Sequence, residues 1–381
     1  MTLSEEHDAF AESVRGFAQA RLAEGALRRA HDPGYPWDVA KLLGEQGLLG
    51  LTVPECDGGQ GATLREAVIA IQEVGQICPK SADVVQAGNF GALRTFAEYA
   101  TDEQKQRYLP GLLAGTTLLG LAMSESEAGS AVTDLTTSAT PDGEDYLING
   151  TKIWSTHSVE ADVYLVYVRF GPGVGGIGSV LVDRGTPGLQ IGSAEQYMSG
   201  EQWAELHFDN CRIPVANVLL GPGGFKKQIS GFNVERLGNA SRSLALGRLA
   251  FRTAREHVLQ REQFGRPLAE FQGLQWKFAD MAVALDGAQL LLERAAENAA
   301  AGLPSAYETS VAKLAANRAG FLAADQAMQV MGAMGYGTGT LVEYCFRRTR
   351  GWMIAGGSIE ILQNRIAEEV LGRRFSQRAA K

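Results

Sequence analysis

Val163-Tyr164-Leu165-Val166-Tyr167-Val168 is the stretch whose reading decides the fold. Six β-branched, aromatic and aliphatic residues in a row are too few for a long helix and have strand character throughout. Outward from it lie Tyr146-Leu147-Ile148, Ser179-Val180-Leu181-Val182 and Glu205-Leu206-His207-Phe208, separated by Gly, Pro, Asn and Asp. The whole span from about Leu119 to Leu220 therefore predicts a small all-β domain. Asn149-Gly150 predicts a hairpin turn, and Gly171 to Gly178 a flexible surface loop.

Both flanks have a different period. Before it, Phe10, Val14 and Phe17 share one helical face behind a Ser4 cap, and helical spacing returns from Leu64 through Val74. Thr101-Asp102-Glu103-Gln104 reads as a capped helix start ahead of Tyr108 and Leu109. After the β region the chain is rich in Ala, Leu and Arg. Long helices are predicted near 233–262, 270–301 and 305–332, with a last one from about Ser358 to Leu371. The expected architecture is mainly α with a central all-β domain. It comprises an N-terminal helical domain (1–118), a middle β-barrel or sandwich domain (119–228) and a C-terminal four-helix bundle (229–381).

Composition excludes several functions. The net charge of −8 leaves no basic surplus for nucleic acid. Cys56, Cys78, Cys211 and Cys345 are scattered and form no C-x-x-C pair, as expected of free thiols in a reducing cytosol. The polar, acidic N-terminus carries no secretory pattern, and no charge-free run reaches transmembrane length. The expected location is cytoplasmic, without membrane insertion. No glycine fingerprint of a Rossmann or P-loop site is present, and the five histidines form no metal motif.

Four motifs stand in one order. Leu121-Ala122-Met123-Ser124-Glu125-Ser126-Glu127-Ala128-Gly129-Ser130 opens the β region, and Lys152-Ile153-Trp154-Ser155-Thr156 follows within it. Arg261-Glu262-Gln263-Phe264-Gly265 precedes Gln272, and Gln329-Val330-Met331-Gly332-Ala333 precedes Gly335-Tyr336-Gly337. Each alone is equally a core tryptophan, a solvated arginine or a helix cap. Together they resemble, along almost the whole chain, the acyl-CoA dehydrogenase family. The resemblance implies a flavoprotein oxidoreductase binding FAD. Leu121, Met123, Ser124, Ser130, Trp154, Ser155 and Thr156 would lie along the flavin, with Thr156 near N5, where a donor stabilises charge gained on reduction. Arg261, Phe264, Gln272, Gln329, Val330, Gly332 and Ala333 would hold its diphosphate and adenine end, from a neighbouring subunit of a homotetramer built as a dimer of dimers. Ser358 and Glu360 would border the flavin.

The family places its catalytic glutamate in one of two positions. One is a Y-E-G-T loop before the last helix, which here reads Ile354-Ala355-Gly356-Gly357-Ser358, with glycine in the glutamate's place. The other precedes an arginine on a helix, and here it reads Asn233-Val234-Glu235-Arg236. The resemblance thus makes Glu235 the base, placed as in isovaleryl-CoA dehydrogenases. The backbone N–H of Gly356 would polarise the thioester carbonyl, and Ser130, Asn233, Arg236, Gly356 and Gly357 would contact the acyl-CoA. The implied reaction is α,β-dehydrogenation to the trans-2-enoyl-CoA in fatty or branched acyl-CoA metabolism, with an electron-transfer flavoprotein as acceptor. Enoyl-CoA reduction, desulfinase-like elimination, an oxidase reaction and a catalytically silent subunit of a mixed oligomer stay open beside it.

Three features depart from the family pattern. Ala131 stands where an aspartate is usual, and Glu201 and Trp203 stand where small hydroxyl residues are usual. Arg242 follows Glu235 by two helical turns on one face. Two roles fit it: meeting a polar or acidic acyl tail, or pairing with a carboxylate on a neighbouring helix.

Overall fold

A computed structural model describes residues 4–299 and 302–377. Residues 1–3, 300–301 at the end of the helix expected over 270–301, and 378–381 lie outside the described residues. The helices α1 (Glu5–Arg21), α2 (Ala26–His31), α3 (Trp37–Glu45), α4 (Leu64–Gly75), α5 (Pro79–Ala87), α6 (Gly91–Tyr99) and α7 (Asp102–Leu113) come first. The β region comprises β1 (Leu119–Ala122), β2 (Ser138–Asp142), β3 (Asp145–Lys152), β4 (Val163–Arg169), β5 (Ile177–Asp183), β6 (Leu189–Ile191), β7 (Glu195–Gln196), β8 (Gln202–Trp203), β9 (Leu206–Pro214) and β10 (Val218–Leu220). Then follow α8 (Phe225–Gln260), a small hairpin of β11 (Glu262–Gln263) and β12 (Arg266–Pro267), α9 (Gln272–Glu297), α10 (Ala306–Met331), α11 (Ala333–Tyr336), α12 (Leu341–Trp352) and α13 (Ile359–Val370). The order is helical, β, helical, as expected.

The chain forms two compact units, each assembled from segments remote in sequence. One contains the segments up to Ala30, Leu64–Ala82 and from Asn233 onward; the other contains His31–Thr63 and Asp83–Phe232.

The second unit is built on a sheet in the order β10-β5-β4-β2-β3-β9-β6, with β1 parallel beside β4. Its centre is the stretch read first. Tyr164, Val166 and Val168 enter one apolar core, whereas Val163 and Leu165 enter another, formed with Phe96, Tyr108 and Leu109 of α6 and α7. A strand covered on both faces needs apolar residues at every position, which explains the unbroken run. Thr101 caps α7 in a full capping box with Gln104.

Asn149-Gly150 is not a turn. Both residues lie inside β3, which turns from β2 at Gly143 (φ +65°). Gly150 has φ +143°, and a Cβ there would stand 2.6 Å from Thr137 Oγ1. The β3–β9 register shifts between Ile148 and Gly150, so the glycine serves a bulge under a close neighbour.

The first unit packs long helices. A Cβ on Gly247 of α8 would meet Gly320 Cα of α10 at 2.8 Å, and one on Gly320 would meet Ser243 O at 2.3 Å. Only glycines allow these two backbones to cross so closely. To the four helices expected here the structure adds α12, whose Val342, Cys345, Thr349 and Trp352 are buried at helical spacing. Ser305 and Ser358 cap α10 and α13. No helix among the described residues is long and apolar enough to cross a membrane.

Candidate active site

In the β-containing unit two of the four motifs are locked together. Ile153 N donates to Ser124 O (2.9 Å), and the buried Lys152 ammonium donates to Met123 O (3.0 Å) and to Glu125 Oε1 (2.8 Å). The Glu125 carboxylate also accepts from Thr136 N (2.7 Å), Thr136 Oγ1 (2.8 Å) and Thr137 N (3.0 Å). Burial works against its ionisation, but the Lys152 charge and these hydrogen bonds outweigh that and hold the carboxyl at about 2. Burial pulls the Lys152 ammonium down to about 8, with Glu125 acting in the opposite direction.

Beyond Lys152 the chain leaves β3 with Trp154 in left-handed backbone (φ +59°), a strained conformation for a residue with a Cβ. That conformation turns the indole outward: it is 55% exposed. Trp203 lies against it with ring centroids 4.2 Å apart, and Tyr197 stacks on both. The bulky Trp203, a departure in the sequence, thus backs the exposed tryptophan and pairs with Thr156. Glu201, the other departure, is buried and accepts a 2.5 Å bond from Ser199 Oγ. Ser155 Oγ is buried without a hydrogen-bond partner, whereas Thr156 is exposed and Ser124 half-buried. A flat exposed indole beside two hydroxyl residues, one of them an unsatisfied buried hydroxyl, fits the ring system of a flavin. Ser130 is exposed, and Ala131 leads into a short 3-10 turn.

In the other unit, Glu235, Asn239 and Arg242 lie along one face of α8. Gly356 faces them from the turn after α12. A Cβ there would stand 3.7 Å from Asn239 Nδ2, 3.7 Å from Lys313 Cε and 3.9 Å from Glu235 Cγ. Glu235 and the glycine that occupies the alternative glutamate position are therefore neighbours. Gly356 has φ +67°, so a side chain would be strained whatever the space. Lys313 is fully buried and holds the turn by donating to Trp352 O (3.0 Å) and Gly357 O (2.8 Å). Burial, then the nearby Arg236 charge, push its ammonium down to about 7. Arg236 Nη1 donates to Asn233 Oδ1 (3.1 Å) and Ser310 Oγ (3.2 Å), and burial followed by Arg365 lowers its guanidinium to about 10.

Arg242 pairs with Glu235 on its own helix, Nη2 to Oε1 at 3.5 Å. Sequence reasoning missed Asn239 and Lys313. The signals were there: an amide one turn beyond the base, and a lone cation in the apolar run Val311-Ala312-Lys313-Leu314-Ala315.

Arg261 follows the end of α8, twenty-five helical residues beyond Glu235, or about 37 Å. Arg261, Phe264, Gln272, Gln329, Gly332 and Ala333 are exposed, Phe264 at 94%, while Val330 is buried. Ser358 Oγ is engaged in capping α13, and Glu360 is exposed, its carboxyl held below the usual range by the helix N–H groups and Ser358. Among the described residues no group of three or more His, Cys, Asp or Glu could hold a metal.

Comparison with known proteins gives the family. Family models match along the chain: acyl-CoA dehydrogenase N-terminal domain at residues 4–116, middle domain at 120–211 and C-terminal domain at 222–371. A 3-sulfinopropanoyl-CoA desulfinase of Paraburkholderia xenovorans is 33% identical over 375 residues, 96% of each chain. An acyl-CoA dehydrogenase of Bacillus subtilis is 33% identical over 377 residues, 98% of this chain and 100% of that one. A glutaryl-CoA dehydrogenase of Mycobacterium smegmatis, solved with FADH2, superposes with a TM-score of 0.92 at 25% identity, covering 99% of this chain and 97% of that one. The chain belongs to the acyl-CoA dehydrogenase family, and it is an FAD-dependent oxidoreductase.

Proposed function

We propose that the protein oxidises a saturated acyl-CoA to the trans-2-enoyl-CoA, with Glu235 taking the α-proton. The observation that carries this reading is the juxtaposition of Glu235 with Gly356. The only carboxylate among the two family positions is Glu235, and the glycine leaves its own backbone N–H to face a thioester carbonyl. A thioester α-proton is a weak acid, and its removal needs a positioned base and a polarised carbonyl oxygen. Glu235 supplies the first and the N–H of Gly356 the second. Asn233, Arg236, Gly357 and Ser130 contact the acyl-CoA. FAD, when bound, accepts the β-hydride. Leu121, Met123, Ser124, Trp154, Ser155 and Thr156 hold its ring system, and Ser358 and Glu360 border it.

The group near Arg261 serves a second copy of the chain. Its distance of about 37 Å from Glu235 along α8 exceeds what one cofactor near the base could span. Trp276, Val283 and Leu290 support such an assembly as an exposed apolar stripe at every second turn of α9. The assembly is a homotetramer in the cytoplasm, passing electrons to an electron-transfer flavoprotein.

The test is the visible spectrum of the purified flavoprotein under anaerobic addition of an acyl-CoA panel, beside E235Q. Bleaching by a saturated acyl-CoA in wild type and not in E235Q supports the reading and gives the acyl class. A yellow protein that no thioester bleaches contradicts it. Elimination is the second reading, favoured by the activity named for the desulfinase relative. Sulfite release from 3-sulfinopropanoyl-CoA without net bleaching would establish it instead.

A further inference from the structure

The Glu235 carboxylate has a counter-ion that the reaction itself does not require. Arg242 Nη2 lies 3.5 Å from Glu235 Oε1, with side-chain exposures of 8% and 17%. The guanidinium carbon lies 4.9 Å from the centre of the Trp352 ring, and Arg348 of α12 approaches the same ring at 5.0 Å. Trp352 is itself fixed, because its carbonyl accepts from Lys313 (3.0 Å) and Asn317 (2.6 Å). Arg242 is thus braced on the residue at the root of the turn that presents Gly356.

Cations near Glu235 come from several helices of its unit, and the carboxylates Glu343 of α12 and Glu368 of α13 pair with Arg347 and Arg365 on their own helices. Arg236 and Arg242 stand on α8 and Lys313 on α10; α12 brings Arg348 to the Trp352 ring, and α13 brings Arg365 to Arg236. These cations are not equivalent. Arg236 turns its Nη1 to Asn233 and Ser310. The Lys313 ammonium, pushed down to about 7 by burial and by Arg236, loses its charge near neutral pH. An arginine keeps its charge throughout.

We propose that Arg242 is a positioning residue for the base, holding the Glu235 carboxylate ionised and in one orientation beside Gly356. This rests on Glu235 being the base. An opposite charge at this distance lowers a carboxyl pKa by about 1–3 units. Without it Glu235 stays protonated to higher pH, and the acid limb of the pH–rate profile moves up.

The experiment is anaerobic stopped-flow reduction of the holoenzyme by a saturating acyl-CoA from pH 5 to 9, for wild type, R242M, R242Q, R242K and E235Q. R242M and R242Q are expected to shift the acid limb upward by about one unit or more, so that the rate below the limb falls about tenfold or more. R242K, which keeps the charge, is expected to restore the limb to near the wild-type pH. R242Q, whose planar amide still fits over Trp352, serves if R242M loses FAD. A merely structural arginine would lower the plateau or the FAD content without moving the limb, and that result overturns the proposal. If instead E235Q is reduced at the wild-type rate, the base lies elsewhere and the reading of Glu235 itself fails. An inactive E235Q with unmoved limbs in R242M and R242Q overturns the role of Arg242 alone.

Discussion

Two buried acid–base pairs, one in each compact unit, differ in how tightly they are made. Glu125 and Lys152 meet at 2.8 Å, and the carboxylate collects three further donors from Thr136 and Thr137. Glu235 and Arg242 meet at 3.5 Å, and the carboxylate side chain is twice as exposed, 17% against 8%. The first pair ties together the two segments that carry Ser124 and Trp154. The second leaves its carboxylate beside Gly356, where a substrate proton is to be taken. A pair built to hold structure is closed by hydrogen bonds. A base must keep its oxygens reachable, so its partner supports it from a longer distance.

If that contrast holds, K152M should give the largest change in stability. It leaves a buried carboxylate without its cation, which typically costs about 3–5 kcal/mol. Denaturant unfolding of K152M against wild type measures this, and a loss below about 1 kcal/mol would break the contrast. The acid side sharpens it further. The folded carboxyl of Glu125 is held at about 2 against an ordinary 4.5, so its contribution is fully present above pH 4.5. That contribution is lost as pH falls from 4.5 toward 2. Unfolding free energies between pH 6 and 3 should therefore decline less steeply in E125Q than in wild type. The smallest effect belongs to the turn beside the base. G356A meets only ordinary contacts, at 3.7–3.9 Å, so its cost is the left-handed backbone, about 1–2 kcal/mol by thermal unfolding.

What could be read in the sequence was chemistry in order. The four motifs, the exchanged glutamate and glycine, and the serine and threonine caps all depend on residue type at fixed local spacing. Ser4 and Thr101 cap helices as that spacing predicts. Asn149-Gly150 misled because the demand on Gly150 is tertiary: Thr137 crowds its α-carbon, and β9 shifts register beside it. The helix α12 was legible in its Thr340 cap, its Glu343–Arg347 pair and its buried spacing, but the glycines before it read as a cofactor motif. Lys313 acts on Gly356 from forty-three residues away, a relation that no local pattern encodes. The approach of Arg242 to Glu235 is likewise a matter of side-chain direction, which position alone does not give.

Every role proposed for the active site depends on Glu235 as the α-proton base. The most direct measurement is exchange of the acyl-CoA α-protons with solvent deuterium, followed by mass spectrometry at equal FAD content for wild type and E235Q. The predicted result is exchange in wild type and a rate lower by about 10²–10⁴ in E235Q. Exchange at the wild-type rate in E235Q would contradict it and place the base on another residue.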